Sequence, residues 1–154
     1  MKSMRRIDRQ MSEAEAKELL ARGEYGLLAV LDEDGRPYCV PLNYVYTNDA
    51  VYFHCALQGK KLSAIAAHPQ VCFTVVGNTQ VLPDKFATNY ESVMVFGPAT
   101  IVEAAEKELA LAAIIQRYSA DFLEAGQAYI EKFRAATAVV KIGVEHITGK
   151  RRAG

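Results

Sequence analysis

The stretch VYFHCALQGKKLSAIAAHP, from Val51 to Pro69, decides the fold. Its first half is rich in aromatic and β-branched residues, which predicts a β-strand. The strand ends at Gln58-Gly59, and Lys60-Lys61 open a predicted short helix that ends before Pro69. A glycine turn exposes backbone N–H groups, a helix N-terminus is electropositive, and two lysines add full charges. The pattern predicts an anion site, most simply for a phosphate; the alternative is a solvated lysine pair.

The composition indicates one domain, residues 1–154, with a balanced charge. Eighteen basic residues offset eighteen acidic ones, and the sequence pI is about 6.8. This balance argues against broad capture of nucleic acid or of an anionic membrane. No apolar run reaches the roughly 18 residues that span a bilayer. The basic N-terminus MKSMRRIDRQ lacks the apolar core of a secretory signal, and its arginines are expected to form a solvated arm.

The cysteines and histidines do not form a metal-binding pattern. Cys39, Cys55 and Cys72 lie in strand-like apolar surroundings, and their number is odd. We therefore expect reduced, buried thiols in a cytoplasmic protein. The three histidines lack the spacing of metal ligands, so no metal site is expected.

The pattern along the chain predicts a mainly β fold with accessory helices. Ser12 and Glu15 form a capping box for a helix that ends near Gly23. Further helices are predicted at about Ala104–Tyr118 and Gln127–Ala135, with a long loop over Asn78–Asn89 and a basic tail, GKRRAG. The predicted strands are Tyr25–Leu31, Pro37–Tyr46, Val51–Ala56, Val71–Gly77, Tyr90–Glu103 and Thr137–Ile147. Antiparallel strands in series suggest a six-stranded β-barrel with helices outside.

A hairpin that turns at Asn48-Asp49 would pair residues whose numbers sum to about 97. Its apolar face, with Val40, Leu42, Tyr44, Tyr46, Val51, Phe53 and Cys55, belongs in the core. On the other face, Asn43 and His54 are predicted neighbours close to the lysine pair. A lone strand histidine is usually structural, but beside an anion site a functional role is about as plausible.

Four segments in this order resemble the FMN-binding split-barrel superfamily of pyridoxamine 5′-phosphate oxidase: PYCVPLNYVY, VYFHCALQGKK, YESVMVFGPATIVE and VVKIGVEHITGKR. The resemblance runs from about Met4 to Arg152 and is greatest to the 5-nitroimidazole resistance branch. It implies a six-stranded antiparallel split barrel, assembled as a homodimer with FMN at the interface.

The resemblance also implies a set of FMN-binding residues. Lys60 and Lys61 would hold the phosphate, and the second strand would border the flavin. Further contacts would come from the end of the third strand, the start of the fifth strand and the C-terminal segment. Residues of a second chain would complete the pocket. The residues are Val40, Pro41, Leu42, Asn43, His54, Cys55, Lys60, Lys61, Glu91, Ser92, Lys150 and Arg151.

Vitamin B6 oxidation is the weaker interpretation of the resemblance. The oxidases usually have an arginine where this chain has Lys60, and their C-terminal arginine and histidine pattern has no match after His146. The sequence shows no nucleophile–base pair, so hydrolysis is disfavoured. We expect reduction of a small electrophile, such as a nitroaromatic, by reduced FMN with a nicotinamide donor, and His54 as a candidate proton donor. The alternative is a non-catalytic flavin or haem protein, with His54 or His146 as an axial ligand.

Overall fold

The computed structural model describes all 154 residues and contains ten β-strands and four α-helices. The strands are β1 (Gln10–Met11), β2 (Gly26–Leu31), β3 (Pro37–Leu42), β4 (Val45–Thr47), β5 (Ala50–Ala56), β6 (Gln70–Val76), β7 (Gln80–Leu82), β8 (Ala87–Val102), β9 (Thr137–Gly143) and β10 (His146–Arg152). The helices are α1 (Glu13–Arg22), α2 (Lys60–Ala67), α3 (Ala104–Tyr118) and α4 (Leu123–Phe133).

Local sequence signals account for the starts and turns of these elements. The Ser12 hydroxyl accepts a hydrogen bond from the Glu15 amide, and the Glu15 carboxylate accepts one from the Ser12 amide, so the predicted capping box is confirmed. Asn48 and Asp49 both have positive φ angles, 51° and 55°, which suit a two-residue hairpin turn. Short polar side chains tolerate this conformation better than other non-glycine residues do.

The strands form an antiparallel split barrel in the order β3-β2-β6-β8-β9-β5-β4. The long β8 connects its two halves, because β6 and β10 pair with its first part and β9 pairs with Ala99–Val102. β1 extends the sheet beside β10, and β7 pairs only with the start of β8. The fold class expected from the sequence is confirmed, with ten strands instead of six.

Two apolar cores hold the barrel together. The larger core has 19 buried residues inside the barrel and under α1 and α2. The predicted inward face of the hairpin is part of it: Tyr44, Val51 and Phe53 are fully buried. The smaller core has nine buried residues and lies between β4, β5, β9 and the helices α3 and α4. Val45 and Tyr52, predicted on the face of the hairpin that points away from the barrel core, are buried in this second core.

The strand count differs because two predicted strands are broken and two further segments pair. The predicted strand Pro37–Tyr46 breaks at Asn43-Tyr44, where the Tyr44 amide donates to the Tyr118 hydroxyl at 3.0 Å and leaves the ladder. The last predicted strand breaks at Val144-Glu145. The two further segments are Gln10–Met11, which forms β1, and Gln80–Leu82 in the predicted loop Asn78–Asn89, which forms β7. The segment predicted as a basic tail forms most of β10.

The sheet formed by β3, β2, β6, β8 and β10 has one face toward the core and one face that no helix covers. The alternate residues on this second face, here called the outer face, are all exposed or half-buried. They are Pro37, Cys39, Pro41, Leu27, Ala29, Leu31, Gln70, Cys72, Thr74, Val76, Tyr90, Ser92, Met94, Phe96, Pro98, His146, Thr148, Lys150 and Arg152.

The three cysteines are free thiols, but the expectation that all are buried is wrong. Cys39 is exposed on the outer face, and Cys55 and Cys72 are half-buried. Edge strand β3 has no neighbour beyond it, which leaves Cys39 uncovered. No helix is both long and apolar enough to cross a membrane.

Candidate functional site

The barrel is open between β3 and the second half of β5. β3 pairs only with β2, and β4 pairs only with Ala50–Tyr52 of β5, so Phe53–Ala56 has a free edge. Unpaired edges present backbone N–H and C=O groups to whatever lies between them. We call this opening the cleft; its walls are Pro37–Leu42 and Phe53–Ala56, and its end is the start of α2.

Lys60 and Lys61 lie at the end of the cleft. α2 begins at Lys60 after Gly59, whose φ of 148° favours glycine, and no side chain caps the helix. No acidic residue lies in its first turn. The free N–H groups and the helix dipole therefore add to the lysine charges.

Neither lysine forms an ion pair. The Lys60 Nζ atom lies 4.5 Å from the centroid of the Tyr38 ring on β3. Burial raises the pKa of the Cys55 thiol, and the Lys61 ammonium partly offsets this shift. Lys60 therefore lies against the β3 wall, and the charge of Lys61 acts on the Cys55 thiol of the β5 wall.

The predicted neighbours Asn43 and His54 do not lie together. Asn43 follows the end of β3, and its side-chain amide donates to the Glu24 carbonyl at 3.0 Å. His54 pairs with Val139 of β9 instead. The predicted register is right for Val45–Thr47 against Ala50–Tyr52, but the break at Tyr44 directs β3 to β2. Local pattern could not reveal this break, because it depends on Tyr118, 74 residues away in the sequence.

His54 faces the helices on the side of β5 away from the core. It lines a cavity of about 90 Å³ together with apolar side chains of α3 and α4, among them Ile114, Ile130 and Phe133. Burial lowers the pKa of the His54 imidazole, and the ring makes no hydrogen bond within the protein. At neutral pH the ring is therefore uncharged and has free donor and acceptor positions.

Glu91 and Arg151 form an ion-pair network on the core side of the sheet. Glu91 accepts a bond from Arg22 at 2.6 Å and lies 3.9 Å from Arg151, which also contacts Glu15 at 3.2 Å. The network ties α1 to β8 and β10.

Ser92 and Lys150 are paired across β8 and β10 and lie on the outer face. They line a groove of about 270 Å³ with Met94, Phe96 and His146. β8 is three strands from β3 and β10 is four, which places these side chains about 14–19 Å from the β3 wall. Within one chain, the predicted site residues therefore do not form a single group. The cleft residues, His54 beside the helices, the Glu91–Arg151 network and the Ser92–Lys150 pair lie apart.

Two residues near these groups were not predicted. Tyr38 stacks on Lys60, and its position two residues before Val40 on a strand was the only available signal. Arg9, expected in a solvated arm, lies near Tyr90. Burial raises the pKa of the Tyr90 phenol, but Lys150 and Arg9 outweigh that effect, so the net shift is downward. This contact depends on the pairing of β1 with β10, which local sequence does not encode.

The family model for pyridoxamine 5′-phosphate oxidase matches residues 12–151 of this chain. The chain therefore belongs to the pyridoxamine 5′-phosphate oxidase family, and the resemblance seen in the sequence is confirmed. No curated protein is significantly similar to it in sequence.

Solved structures with the same fold come from several bacteria. A candidate 5-nitroimidazole antibiotic resistance protein from Bacteroides thetaiotaomicron is 24% identical, with a TM-score of 0.75 over 92% of this chain and 86% of that chain. The flavocytochrome Anf3 from Azotobacter vinelandii is 22% identical, with a TM-score of 0.84 over 99% of this chain and 73% of that chain. The FAD and heme binding protein from Mycobacterium smegmatis is 20% identical, with a TM-score of 0.80 over 95% and 74%.

Proposed function

We propose that this protein binds FMN in the cleft and reduces a small electrophile, such as a nitroaromatic, with electrons from a nicotinamide donor. The observation that carries the proposal is the pair of lysines without ion-pair partners at an uncapped helix start, at the end of an open cleft. FMN ends in a phosphate, and charge-assisted contacts to lysine are among the strongest hydrogen bonds available to it.

The residues of the cleft fit the rest of a flavin mononucleotide. Val40 and Leu42 offer an apolar wall with a free backbone edge, Pro41 lies between them with its side chain on the outer face, and Cys55 adds a small side chain opposite. A ring with polar edges can use the unpaired backbone groups while its faces contact apolar side chains. Bound FMN would supply the hydride or electron transfer; the protein holds and orients it and admits the substrate.

The proposal includes a homodimer that uses the outer face. Ser92 and Lys150 lie too far from the cleft of their own chain to contact a molecule bound there. A second copy placed against the outer face would bring such residues to the cleft of its partner. A partly apolar sheet face that no helix covers also favours such a partner.

We assign to His54 the role of a proton donor or hydrogen-bond donor to the substrate. Its imidazole has no partner within the protein and lines an apolar cavity, so it is free to bond to a polar group of a substrate that reaches it. The exposed free thiol of Cys39 fits a reducing compartment, and we place the protein in the cytoplasm.

Haem is the second candidate cofactor, and the position of His146 favours it. His146 borders the groove of about 270 Å³ beside Phe96 on the outer face, whereas the cavity at His54 is only about 90 Å³. An axial ligand beside an apolar groove suits a flat macrocycle better than the small cavity does. The absorption spectrum of the purified protein separates the candidates, since flavin gives two bands in the near-ultraviolet and blue and haem gives a Soret band.

The Lys61→Ala variant tests the phosphate contact. Each charge-assisted contact contributes about 1.5–3 kcal/mol, and about 1.4 kcal/mol is one decade of affinity. We expect the dissociation constant for FMN, measured by fluorescence quenching, to rise about tenfold or more, and further in Lys60→Ala/Lys61→Ala. Lys132→Ala is the matched control, because Lys132 also lies over an aromatic ring but on α4. Unchanged FMN affinity in the double variant would contradict the proposal.

A further inference from the structure

Three cationic side chains lie around Tyr90 at one end of the outer face. Tyr90 and Arg152 are paired across β8 and β10, and Lys150 lies two residues before Arg152 on the same face. The Lys150 Nζ atom is 5.8 Å from the centroid of the Tyr90 ring. Arg9, which directly precedes β1 beside β10, also acts on the Tyr90 phenol. We call Arg9, Lys150 and Arg152 the cation cluster.

The cation cluster has no carboxylate partner within the chain. None of its three side chains forms an ion pair. Arg152 donates instead to the side-chain oxygen of Asn89, a neutral group, at 2.6 Å. Glu91 faces the other side of the sheet, where it pairs with Arg22. The positive charge of the cluster is therefore available to an anion from outside.

The ionisation of Tyr90 reflects the electrostatic potential at the cluster. Burial raises the pKa of the Tyr90 phenol, but Lys150 and Arg9 outweigh that effect, so the net shift is downward. A potential that favours the phenolate over the neutral phenol favours any other bound anion for the same reason. The potential at this end of the outer face therefore selects anions and disfavours cations.

Two grooves adjoin the cation cluster and leave room for more than the anion itself. Tyr90 and Arg152 line a groove of about 250 Å³ whose walls are mostly polar. Lys150 lines the groove of about 270 Å³ that contains Phe96. Aromatic side chains stack on the flat faces of nucleobases. Small-molecule pockets usually measure about 300–1,000 Å³, so each groove alone has room for part of a dinucleotide.

We propose that the cation cluster binds the phosphate monoester of the nicotinamide donor, so that the protein uses NADPH in preference to NADH. A phosphate monoester carries up to two negative charges near neutral pH, which suits three cations better than the single charge of a carboxylate does. Two of the cations are arginines, whose planar guanidinium groups form paired hydrogen bonds with phosphate. NADPH carries such a phosphate on its adenosine ribose, and NADH does not.

The cluster lies where a donor to the proposed flavin is needed. The inference rests on the FMN, the nicotinamide donor and the homodimer of the proposed function. In that homodimer, Ser92 and Lys150 reach the cleft of the partner, and the rest of the cluster adjoins them. Lys60 and Lys61 already hold the phosphate of FMN in the proposed function. The cation cluster is therefore left for a second phosphate, and the donor has to lie beside FMN to reduce it.

The test compares the binding of NADP⁺ and NAD⁺ to the FMN-loaded protein by isothermal titration calorimetry. We expect the parent to bind NADP⁺ about tenfold or more tightly than NAD⁺, as charge-assisted contacts to phosphate provide. Arg9→Gln, and further Arg9→Gln/Arg152→Gln, should bring this ratio toward one. Lys85→Gln is the matched control. It removes one positive charge from an exposed lysine that has no ion pair but lies outside the cluster, and it should leave the ratio unchanged.

The ultraviolet absorbance of ionised tyrosine gives a second measurement at the cluster itself. Bound NADP⁺ should raise the pKa of Tyr90, because the phosphate offsets the charge of Lys150 and Arg9, whereas NAD⁺ should not. Comparison with Tyr90→Phe identifies the part of the titration that belongs to Tyr90. If inorganic phosphate alone raises this pKa and NADP⁺ does not, the cluster binds free phosphate and the assignment of the donor is wrong.

The outcomes separate this inference from the proposed function. A parent that binds FMN but binds NADP⁺ and NAD⁺ equally would overturn the inference alone. If Arg9→Gln weakens FMN binding and leaves the ratio of the two nucleotides unchanged, the cluster serves FMN and the inference is also wrong. A parent that binds no FMN would overturn the proposed function, whereas its preference for NADP⁺ would still support the cluster. If the double variant fails to fold, Arg9→Gln and the titration of Tyr90 decide.

Discussion

At the residue scale, the position of His54 changes how its chemistry is understood. Sequence alone placed it beside Asn43, whereas the structure places it against α3 and α4. The cavity next to it is apolar, and burial lowers the pKa of the imidazole. A proton donor with a lowered pKa is a stronger acid, but a smaller fraction of it is protonated at neutral pH.

We expect the His54→Ala variant to keep FMN and to lose turnover. Turnover of a nitroaromatic should fall about 10²–10⁴-fold, the usual contribution of a general acid. Because the donor is the protonated form and its pKa is lowered, turnover by the parent should rise as the pH falls below about 6.5, and this rise should be absent from the variant. Steady-state rates from pH 5 to 8 measure both effects. Loss of FMN from the variant would make His54 a binding residue, and unchanged turnover would reduce it to packing.

At the element scale, the end of α3 holds the break between β3 and β4 in place. The Tyr118 hydroxyl accepts the Tyr44 N–H at 3.0 Å and lies 2.7 Å from the Glu24 carbonyl oxygen. Arg117 donates to the carbonyls of Arg22 and Gly23. One helix end thereby fixes both the end of α1 and the point where the edge of the cleft begins.

Replacement of Tyr118 by phenylalanine should destabilise the protein by about 1–3 kcal/mol. The change leaves the part-buried Tyr44 amide without its partner, and an unsatisfied buried donor has about this effect. The free energy of unfolding in urea measures it. Tyr129→Phe is the control, because the exposed Tyr129 hydroxyl makes no hydrogen bond within the protein, and its loss should stay within about 0.5 kcal/mol. Equal stabilities for the two variants would contradict this role of Tyr118.

The break at Tyr44 also marks the limit of what the sequence could predict. Alternation and turn residues identify the hairpin at Asn48-Asp49, the inward face with Val51 and Phe53, and the start of α2. These features are local, so their signals lie within a few residues. The exit of Tyr44 from the ladder depends on Tyr118. The place of β10 between β1 and β8 depends on its pairing with both of these distant strands. The separation of the predicted site residues into several groups therefore appears only in three dimensions.

At the scale of the whole molecule, the two halves of the barrel meet where β8 passes from β6 and β10 to β9. Gly97 lies at this crossing, and the Glu145 amide donates to the Phe96 carbonyl at 2.9 Å. A Cβ atom on Gly97 would come within 1.6 Å of the Gly143 carbonyl oxygen. The two backbones are in direct contact, which only a residue without a side chain permits.

Gly97→Ala should therefore destabilise the protein by about 3 kcal/mol or more, because a backbone, not a flexible side chain, would have to move. Gly143→Ala is a matched control at the same crossing. Its Cβ would meet only side-chain atoms of Pro98 at 3.8 Å, an ordinary contact, so the change should be below about 1 kcal/mol. Thermal unfolding of the two variants measures the difference. A tolerated Gly97→Ala would mean that the crossing is looser than the structure indicates.

The central position of β8 has a consequence for how the protein is made. Its partners β9 and β10 leave the ribosome later, because they begin about 35 and 44 residues after β8 ends. Until they arrive, Val93, Val95 and the rest of the strand have a partner on one side only, at β6. A nascent chain with such a long apolar edge is prone to pair with another chain. Ribosomes stalled before Thr137 should therefore hold an aggregation-prone intermediate, whereas synthesis and release of β9 and β10 close that edge.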